Sequence, residues 1–157
     1  MDKIEIVRCN FNNPIHCQAE IDLMKDYMMD EMGGVSALTS EENVKLIEGL
    51  KNLPTALVLL ALYEEKFVGL TNSFVNFATF TVQKFINIHD VIVKPGYRGL
   101  GIGKRLLEEN IRIAGEDYNC SKITLEVRSD NVVAQSLYHS LGFHDSEPKM
   151  FFWTKYL

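Results

Sequence analysis

Three glycines alternate with two apolar residues in the stretch YRGLGIGK, which covers residues 97–104. The strand-like stretch HDVIVKP precedes it, and a stretch rich in Leu, Ile and Glu with helical spacing follows, so the order is strand, glycine loop, helix. Glycine lets an anion approach the backbone N–H groups closely, and the first amides of a helix carry partial positive charge. The stretch is therefore predicted to bind a phosphate or a similar anion.

The spacing of the glycines limits the kinds of loop that this stretch can form. A plain strand-to-helix turn that needs unusual dihedral angles and binds nothing stays compatible with it. A Walker A loop would need Gly in place of Arg98 and Ser or Thr in place of Arg105. A Rossmann loop needs GxGxxG, whereas Gly99, Gly101 and Gly103 alternate strictly. A nucleotide triphosphatase and a dinucleotide-dependent dehydrogenase are therefore disfavoured.

A second motif, LEVRSDNVVAQSLYHSLGF, follows at residues 125–143. Together with RGLGIG it resembles the GNAT superfamily of N-acetyltransferases, whose signatures are R/Q-x-x-G-x-G/A and then N-x-x-A-x-x-L-Y-x-x-x-G-F. The positions in register with the second signature are Asn131, Ala134, Leu137, Tyr138, Gly142 and Phe143. The resemblance is firm over residues 88–143 and holds only in outline before them.

The resemblance implies that acetyl-CoA is the cosubstrate, and no metal site is predicted. The loop would hold its pyrophosphate, the preceding strand would pair with the pantetheine arm as with an added strand, and Asn131 would bind that arm as well as capping a helix. The residues expected to bind acetyl-CoA are Val91, Ile92, Val93, Arg98, Gly99, Leu100, Gly101, Ile102, Gly103, Lys104 and Asn131.

Tyr138 stands where many family members place a tyrosine that protonates, or hydrogen-bonds to, the departing thiolate. Full proton transfer from an ordinary phenol to a thiolate is uphill by about 2 kcal/mol, so a hydrogen bond or a lowered pKa is the more economical role. The alternative interpretation of Tyr138 is a core tyrosine that faces the sheet.

The acceptor must also lose a proton, because an alkyl amine is neutral in only about one of a few thousand molecules at pH 7. His89 shares strand parity with Val91 and Val93, and it occupies the position where relatives often carry a Glu or His base. Imidazole is suited to this task near neutral pH. A histidine held by core hydrogen bonds is the alternative, and Asp90 is expected to alternate to the other face in a structural role.

Three cysteines, Cys9, Cys17 and Cys120, form neither a CxxC pair nor a regular pattern, so no disulfide framework or thiolate metal site is predicted. None of them looks like a nucleophile, since Cys120 precedes a strand without a nearby base in sequence, which favours direct attack of the acceptor on the thioester rather than an acyl-enzyme. By resemblance, the backbone amide near Val91 would donate to the developing oxyanion.

The resemblance places acceptor recognition on the first two helices and on the hairpin between the third and fourth strands. Asp22, Asp26 and Asp30 recur every four residues, as a solvated helix face or as a surface that attracts a cationic amine. Phe74, Phe77 and Phe80 are predicted to be core residues, and one or two of them could instead line the pocket.

Periodicity predicts the remaining elements. A strand at Ile4–Arg8 is followed by a helix capped by Asn13 that continues to Gly33 and Gly34, and by a second helix with a Thr39–Glu42 capping box. Three strands come next, ALVLLALY, FVGLTNSFVNF and FINIHDVIV, then the helix after the glycine loop. The strand ITLEV, a helix that runs from Asn131 to Gly142, and the closing strand MFFWTKYL complete the order.

This order predicts an α/β protein with the GNAT fold: one mixed sheet, antiparallel in its first half, with a βαβ crossover in its second half and about four flanking helices. A length of 157 residues predicts one acetyltransferase domain over residues 1–157. The net charge of −5 argues against nucleic acid as partner. The opening residues lack a signal-peptide pattern and no apolar run could cross a membrane, so a cytoplasmic protein is expected.

Two classes of function remain open at this point. The first is an N-acetyltransferase that moves acetyl from acetyl-CoA to a primary amine of a small molecule or protein, with transfer of another acyl group or transfer to a hydroxyl as variants. The second is a non-catalytic acyl-CoA-binding regulatory or interaction domain. Retention of both Tyr138 and His89 favours the enzyme. An exposed sheet edge makes a homodimer possible.

Overall fold

The computed structural model describes residues 3–157, in two compact units that divide after Glu126. The first unit contains five strands and three α-helices, with a short 3₁₀ turn at Pro95–Tyr97, and the second unit contains the fourth α-helix. The elements are β1 (Ile4–Arg8), α1 (Pro14–Met29), α2 (Ser40–Asn52), β2 (Ala56–Tyr63), β3 (Lys66–Ala78), β4 (Gln83–Val93), α3 (Ile102–Glu116), β5 (Ile123–Leu125) and α4 (Val132–Ser140).

The strands form one sheet in the order β1-β2-β3-β4-β5. The first four are joined antiparallel, and β5 pairs parallel to β4 after the crossover through α3. The α/β class, the antiparallel meander and the βαβ crossover predicted from periodicity are thus confirmed. The meander forms because apolar β2 and β3 are linked by Glu64 and Glu65, both in left-handed conformation, which reverses the chain within two residues.

Helices α1 and α3 cover opposite faces of the sheet, as neighbouring residues of β3 show. Leu70 packs with Ala19 and Leu23 of α1 in a buried cluster. On the other face, a Cβ built on Gly69 would lie 3.1 Å from Ile102 and 3.2 Å from Leu106 of α3. Side chains alternate across a strand, so each helix takes one face. Glycine at position 69 therefore lets α3 approach the sheet closely.

Helix starts follow the predicted caps, but the end of α1 does not follow the prediction. The Asn13 side chain accepts a hydrogen bond from Ile15 N–H, and Thr39 and Glu42 form the full capping box. Helix α1 ends at Met29 rather than at Gly33. Gly33 packs against the backbone of the last turn, where a Cβ would lie 2.1 Å from the Tyr27 carbonyl oxygen. The chain has therefore already folded back at Asp30.

The predicted closing strand MFFWTKYL is wrong. The structure gives residues 150–157 no strand, and Phe151, Phe152 and Trp153 are exposed. A strand is stable only when a neighbouring strand takes up its backbone N–H and C=O groups, and the described second unit contains one helix and no strand. The ITLEV strand is likewise shorter than predicted, since pairing with β4 stops at Leu125.

Two of the three phenylalanines that were predicted to be core residues are exposed to solvent instead. Phe77 and Phe80 are exposed near the end of the β3–β4 hairpin, beyond the part of the sheet that the helices cover. Phe74 is partly buried and contacts the ring of His89. The alternation that predicts a buried face holds only where a helix packs on that face.

In the part of the chain that the structure describes, no helix combines the length and the apolar character that a membrane crossing requires.

Candidate active site

The glycine loop joins β4 to α3 with two residues in left-handed conformation. Gly99 has φ +81° and Gly101 has φ +84°, which only glycine adopts at little cost. A Cβ at either position would meet no atom within 4 Å among the described residues, so the two glycines face open space. Their conformation, rather than crowding, accounts for the residue type.

The first turn of α3 follows directly and is open to a ligand. Its N-cap residue is Gly101, which has no side chain that could accept a hydrogen bond from the first N–H groups of the helix. The N–H groups of Ile102, Gly103 and Lys104 have no acceptor within the helix, as at every helix start. The first turn contains no acidic side chain, and Lys104 lies in it. These features favour binding of an anion.

Arg98, expected at the head of the cosubstrate loop, is held by two contacts within the chain. Its Nε donates to the Val93 carbonyl oxygen at 3.0 Å, and its guanidinium pairs with the Asp30 carboxylate. The hydrogen bond from Arg98 lowers the pKa of Asp30 below its ordinary value. Arg98 therefore links the end of α1, the end of β4 and the glycine loop.

Strand β4 loses its parallel neighbour halfway along. Its register with β5 runs from Ile86 to Ile88, whereas β4 itself continues to Val93. For residues 89–93, no strand of the described chain pairs on this side. An extended ligand could add to β4 there through backbone hydrogen bonds.

The direction of each backbone group on this open edge follows from one bond. Lys94 N–H donates to the Val68 carbonyl oxygen at 2.8 Å, so the backbone N–H and C=O of Lys94 point toward β3. Backbone groups alternate in direction along a strand, so those of Ile92 also point toward β3, while the N–H and C=O of Val91 and Val93 point toward the open edge. The Val93 oxygen already accepts from Arg98, so Val91 offers both its N–H and its C=O. Ile92 contributes its side chain to the core cluster.

His89 lies at a β-bulge. Asn72 pairs with Asp90 and Ser73 with Ile88, so His89 is the extra residue of β4. The His89 ring meets the Phe74 ring edge-on at 5.3 Å between centroids, and Asp90 accepts from the Asn72 side chain. The expectation that Asp90 points away from His89 is wrong, because the bulge interrupts the alternation and turns both side chains toward the face of α1.

Behind His89 lies a buried polar cluster, which periodicity does not indicate. Asn72 Nδ2 lies 2.9 Å from Glu20 Oε1, 3.1 Å from Asp90 Oδ2 and 3.4 Å from Met24 Sδ. The Glu20 side chain is fully buried and Asn72 nearly so, while Asp90 is partly exposed. Burial raises the pKa of Glu20 to about 7, and burial also raises the pKa of Asp90.

The acidic residues of α1 are paired rather than free to attract a ligand. Gln18 Nε2 donates to Asp22 at 2.9 Å, Lys94 lies 3.4 Å from Asp26, and Asp30 pairs with Arg98. Two of the three thus connect α1 to the end of β4 and the loop. The solvated-face interpretation fits these contacts better than that of a cation-attracting stripe.

The second unit carries the other two predicted site residues. Asn131 caps α4, its Oδ1 accepting from Ala134 N–H at 3.1 Å. Tyr138 is buried in the last turn and lies 6.1 Å from the Phe143 ring between centroids. Phe143 N–H donates to the Tyr138 carbonyl and Gly142 N–H to that of His139, with Gly142 at φ +88°. This is a Schellman motif, so the predicted glycine end of α4 is confirmed.

Two of the three cysteines, Cys9 and Cys120, are poor nucleophiles. All three are free thiols, and burial raises the pKa of Cys9 to about 12. Burial also raises the pKa of Cys120. The described residues hold no cluster of three or more His, Cys, Asp or Glu side chains that could bind a metal ion.

Comparison with known proteins identifies the family of this chain. The acetyltransferase (GNAT) family model matches residues 21–143, which is most of the chain. The chain belongs to the GNAT acetyltransferase family. The family resemblance inferred from the two motifs is thereby confirmed.

Curated relatives match this GNAT domain over a shorter stretch. An N-alpha-acetyltransferase RimI from Mycobacterium tuberculosis is 45% identical over 56 residues, which are 36% of this chain and 33% of the relative. A thialysine N-epsilon-acetyltransferase from Bos taurus is 40% identical over 60 residues, 38% of this chain and 35% of the relative. The alignments thus cover about a third of each of these relatives.

Solved structures share the fold over nearly the whole GNAT domain. A probable acetyltransferase superposes with a TM-score of 0.84 at 20% identity, over 98% of each chain. The aminoglycoside N-acetyltransferase AAC(6')-Iy, in complex with CoA, superposes with a TM-score of 0.76 at 15% identity, over 97% of this chain and 94% of that one. At this identity the likeness establishes the fold.

Proposed function

We propose that this GNAT domain transfers the acetyl group of acetyl-CoA to a primary amine by direct attack. The observation that carries the proposal is the continuity of two features: the open edge of β4 at Val91 leads into an uncapped helix start at Gly101. An extended amide-containing arm fits the first feature and a diphosphate fits the second. Acetyl-CoA contains both groups in that order.

The binding residues are proposed from the geometry of the first unit. Val91 would pair with the pantetheine arm, and the amides from Gly99 to Lys104 would receive the pyrophosphate, with Leu100 and Ile102 contributing backbone only. Arg98 is held by Val93 and Asp30 at the head of the loop and would lie beside the same anion. In the second unit, Asn131 keeps the role in cosubstrate binding that the resemblance gives it.

The chemistry requires three proton or charge steps. His89 accepts a proton from the attacking amine, which offsets the roughly 4 to 5 kcal/mol needed to neutralise an alkyl ammonium at pH 7. The amine nitrogen then forms a bond to the acetyl carbon, and the open N–H of Val91 donates to the carbonyl oxygen as it gains charge. The C–S bond breaks, and Tyr138 of the second unit keeps the role that the resemblance gives it, a hydrogen bond or a proton to the departing thiolate.

Direct attack is preferred to an acyl-enzyme because burial raises the pKa of the Cys9 and Cys120 thiols and keeps them protonated at neutral pH. A thiol whose pKa is about 12, as for Cys9, is almost entirely protonated at pH 7. Single-turnover kinetics should therefore show no acetylated protein intermediate.

The decisive experiment combines binding with turnover. Calorimetry measures the affinity for acetyl-CoA, and a thiol-release assay measures transfer to a panel of alkyl, aryl and peptide N-terminal amines. Tight binding together with amine-dependent thiol release is the expected result. Tight binding with no release from any amine would instead favour a non-catalytic acyl-CoA-binding domain, and absence of binding would reject both.

A further inference from the structure

The buried cluster of Glu20, Asn72 and Asp90 has an unambiguous amide orientation. Carboxylate oxygens of Glu20 and Asp90 lie at 2.9 Å and 3.1 Å from the same end of the Asn72 amide. That end is the NH₂ group, because the Asp90 carboxylate can only accept a hydrogen bond and an amide oxygen has no hydrogen to give. One N–H of Asn72 therefore points to Glu20 and the other to Asp90.

Two atoms of the cluster lack a partner. Among the described residues, the buried side-chain N and O atoms without a hydrogen bond are Glu20 Oε2 and Asn72 Oδ1. Both are acceptors when Glu20 is ionised, and two buried acceptors cannot satisfy one another. They belong to the two groups already joined by the bond from Asn72 Nδ2 to Glu20 Oε1.

One proton on the Glu20 carboxyl would give both unpartnered atoms a hydrogen-bond partner. A carboxylic acid and a primary amide form a closed pair, in which the amide N–H donates to one carboxyl oxygen while the acid O–H donates to the amide oxygen. The first of these bonds is present. The second would join Glu20 Oε2 and Asn72 Oδ1, the two atoms left without a partner, once Glu20 Oε2 carries hydrogen. Burial of Glu20, whose side chain is fully enclosed, also favours the neutral acid.

We propose that Glu20 is protonated in the folded protein and forms this closed acid–amide pair with Asn72, which directs the second Asn72 N–H onto Asp90 and fixes Asp90 as the anionic contact for the ammonium group of the acceptor. Glu20 is thus a positioning residue. Asp90 is the specificity-determining one. The second half of this inference rests on the proposed function, whereas the protonation of Glu20 does not.

Asp90 is suited to the task because it is the partly exposed member of the cluster and lies next to His89. A cationic amine held by Asp90 would be close to the imidazole that accepts its proton. The titratable neighbours of the cluster are few: the Cys9 thiol lies near Glu20, and His89 lies near Asp90. Burial is the largest cause of the raised pKa of Cys9, so its thiol stays neutral and offers Glu20 no cation.

Infrared spectroscopy tests the proton directly. Near pH 6, ordinary Asp and Glu side chains are ionised, so the C=O stretch of a protonated carboxyl should arise from Glu20 alone. We expect this band in the wild type, its persistence in Asp90→Asn and its loss in Glu20→Gln. Absence of the band from the wild type, or its survival in Glu20→Gln with loss in Asp90→Asn, would overturn the proposal.

Glu20→Gln is also a fold-preserving variant. Glutamine can close the same pair with Asn72 through its own N–H and C=O without any ionisable proton, so the domain should fold at least as well as the wild type. Asn72→Leu removes the acid–amide pair and should lower the melting temperature. The same variant is a control in the infrared experiment, because the C=O band of Glu20 should shift when the acid loses its amide partner.

Kinetics test the role of Asp90. With a cationic amine, Asp90→Asn should raise KM about tenfold or more, with the affinity for acetyl-CoA unchanged. Equal KM values for Asp90→Asn and wild type would reject the ammonium contact. If no amine releases thiol, the proposed function fails, while the infrared result still decides the state of Glu20.

Discussion

Residue by residue, the glycine loop and the strand before it were the most predictable part of the site. Left-handed dihedral angles at Gly99 and Gly101 follow from their residue type, and a helix start after them follows from periodicity. Glu20 and Asn72 were not predictable. A glutamate on a helix is normally solvent-exposed, and nothing in the spacing shows that Asn72 of β3 lies against it.

His89 is expected to affect turnover and not cosubstrate binding. Its ring contacts Phe74 of β3, and His89 lies outside the glycine loop. Changing His89→Ala should lower kcat/KM in the thiol-release assay by about 10²- to 10⁴-fold, because a positioned base is removed.

A matched histidine provides the control. His144→Ala alters an exposed residue outside regular structure and should leave kcat/KM within a factor of two or so of the wild type. Equal activity of His89→Ala and His144→Ala would remove His89 from the mechanism. Loss of acetyl-CoA affinity in His89→Ala would show that it binds the cosubstrate instead.

At the scale of elements, the strands of the meander and the helix caps were predictable because their determinants are local. The Thr39–Glu42 pair and the Asn13–Pro14 start are read from four or fewer adjacent residues. The bulge at His89 depends on the register between two strands, which alternation alone does not specify. The predicted closing strand was wrong for a related reason, because an apolar sequence pattern forms a strand only where a neighbouring strand can pair with it.

The loop geometry predicts the effect of a side chain at Gly101. Gly101→Val places a β-branched residue at φ +84° and adds bulk where the anion is proposed to bind. We expect a loss of stability of about 1 to 2 kcal/mol and a weakening of acetyl-CoA binding by about tenfold or more, measured by calorimetry.

Gly115→Ala on the same helix is the comparison for Gly101→Val. Its Cβ would meet no described atom within 4 Å, and alanine favours a helix interior over glycine by about 1 kcal/mol. The variant should keep its affinity and gain slightly in stability. Unchanged acetyl-CoA affinity in Gly101→Val would contradict the loop as the pyrophosphate site.

At the scale of the whole molecule, Glu20 makes folding stability depend on pH. Its pKa is raised to about 7 when folded, above its unfolded value near 4.3. The folded state therefore binds the proton more tightly, so this contribution is complete below about pH 4.3 and is lost as pH rises to about 7. The total change is on the order of 3 kcal/mol, and the raised pKa of Asp90 acts in the same direction.

Urea unfolding at a series of pH values, for wild type and Glu20→Gln, isolates this contribution. The difference in unfolding free energy between the two should change from pH 4 to pH 7 and then become constant. A difference that is independent of pH would mean that Glu20 titrates normally in the folded protein.

The single tryptophan of the sequence reports on the second unit. Trp153 is 85% exposed, in the segment with Phe151 and Phe152. Dilute protein should therefore show long-wavelength emission that acrylamide quenches readily. Exposed apolar clusters promote association, so raising the protein concentration should shift the emission to shorter wavelength. Short-wavelength emission already at high dilution would contradict the exposed position.

The contact of Arg98 with Asp30 also bears on kinetic order. The Arg98 guanidinium pairs with Asp30, the residue that directly follows α1. Arg98 is also the first residue of the loop that is proposed to bind a diphosphate. An arriving diphosphate would compete with Asp30 for Arg98, and any release of Asp30 would loosen the chain that follows α1. Acetyl-CoA would then bind first and the amine second, in a compulsory-order ternary complex.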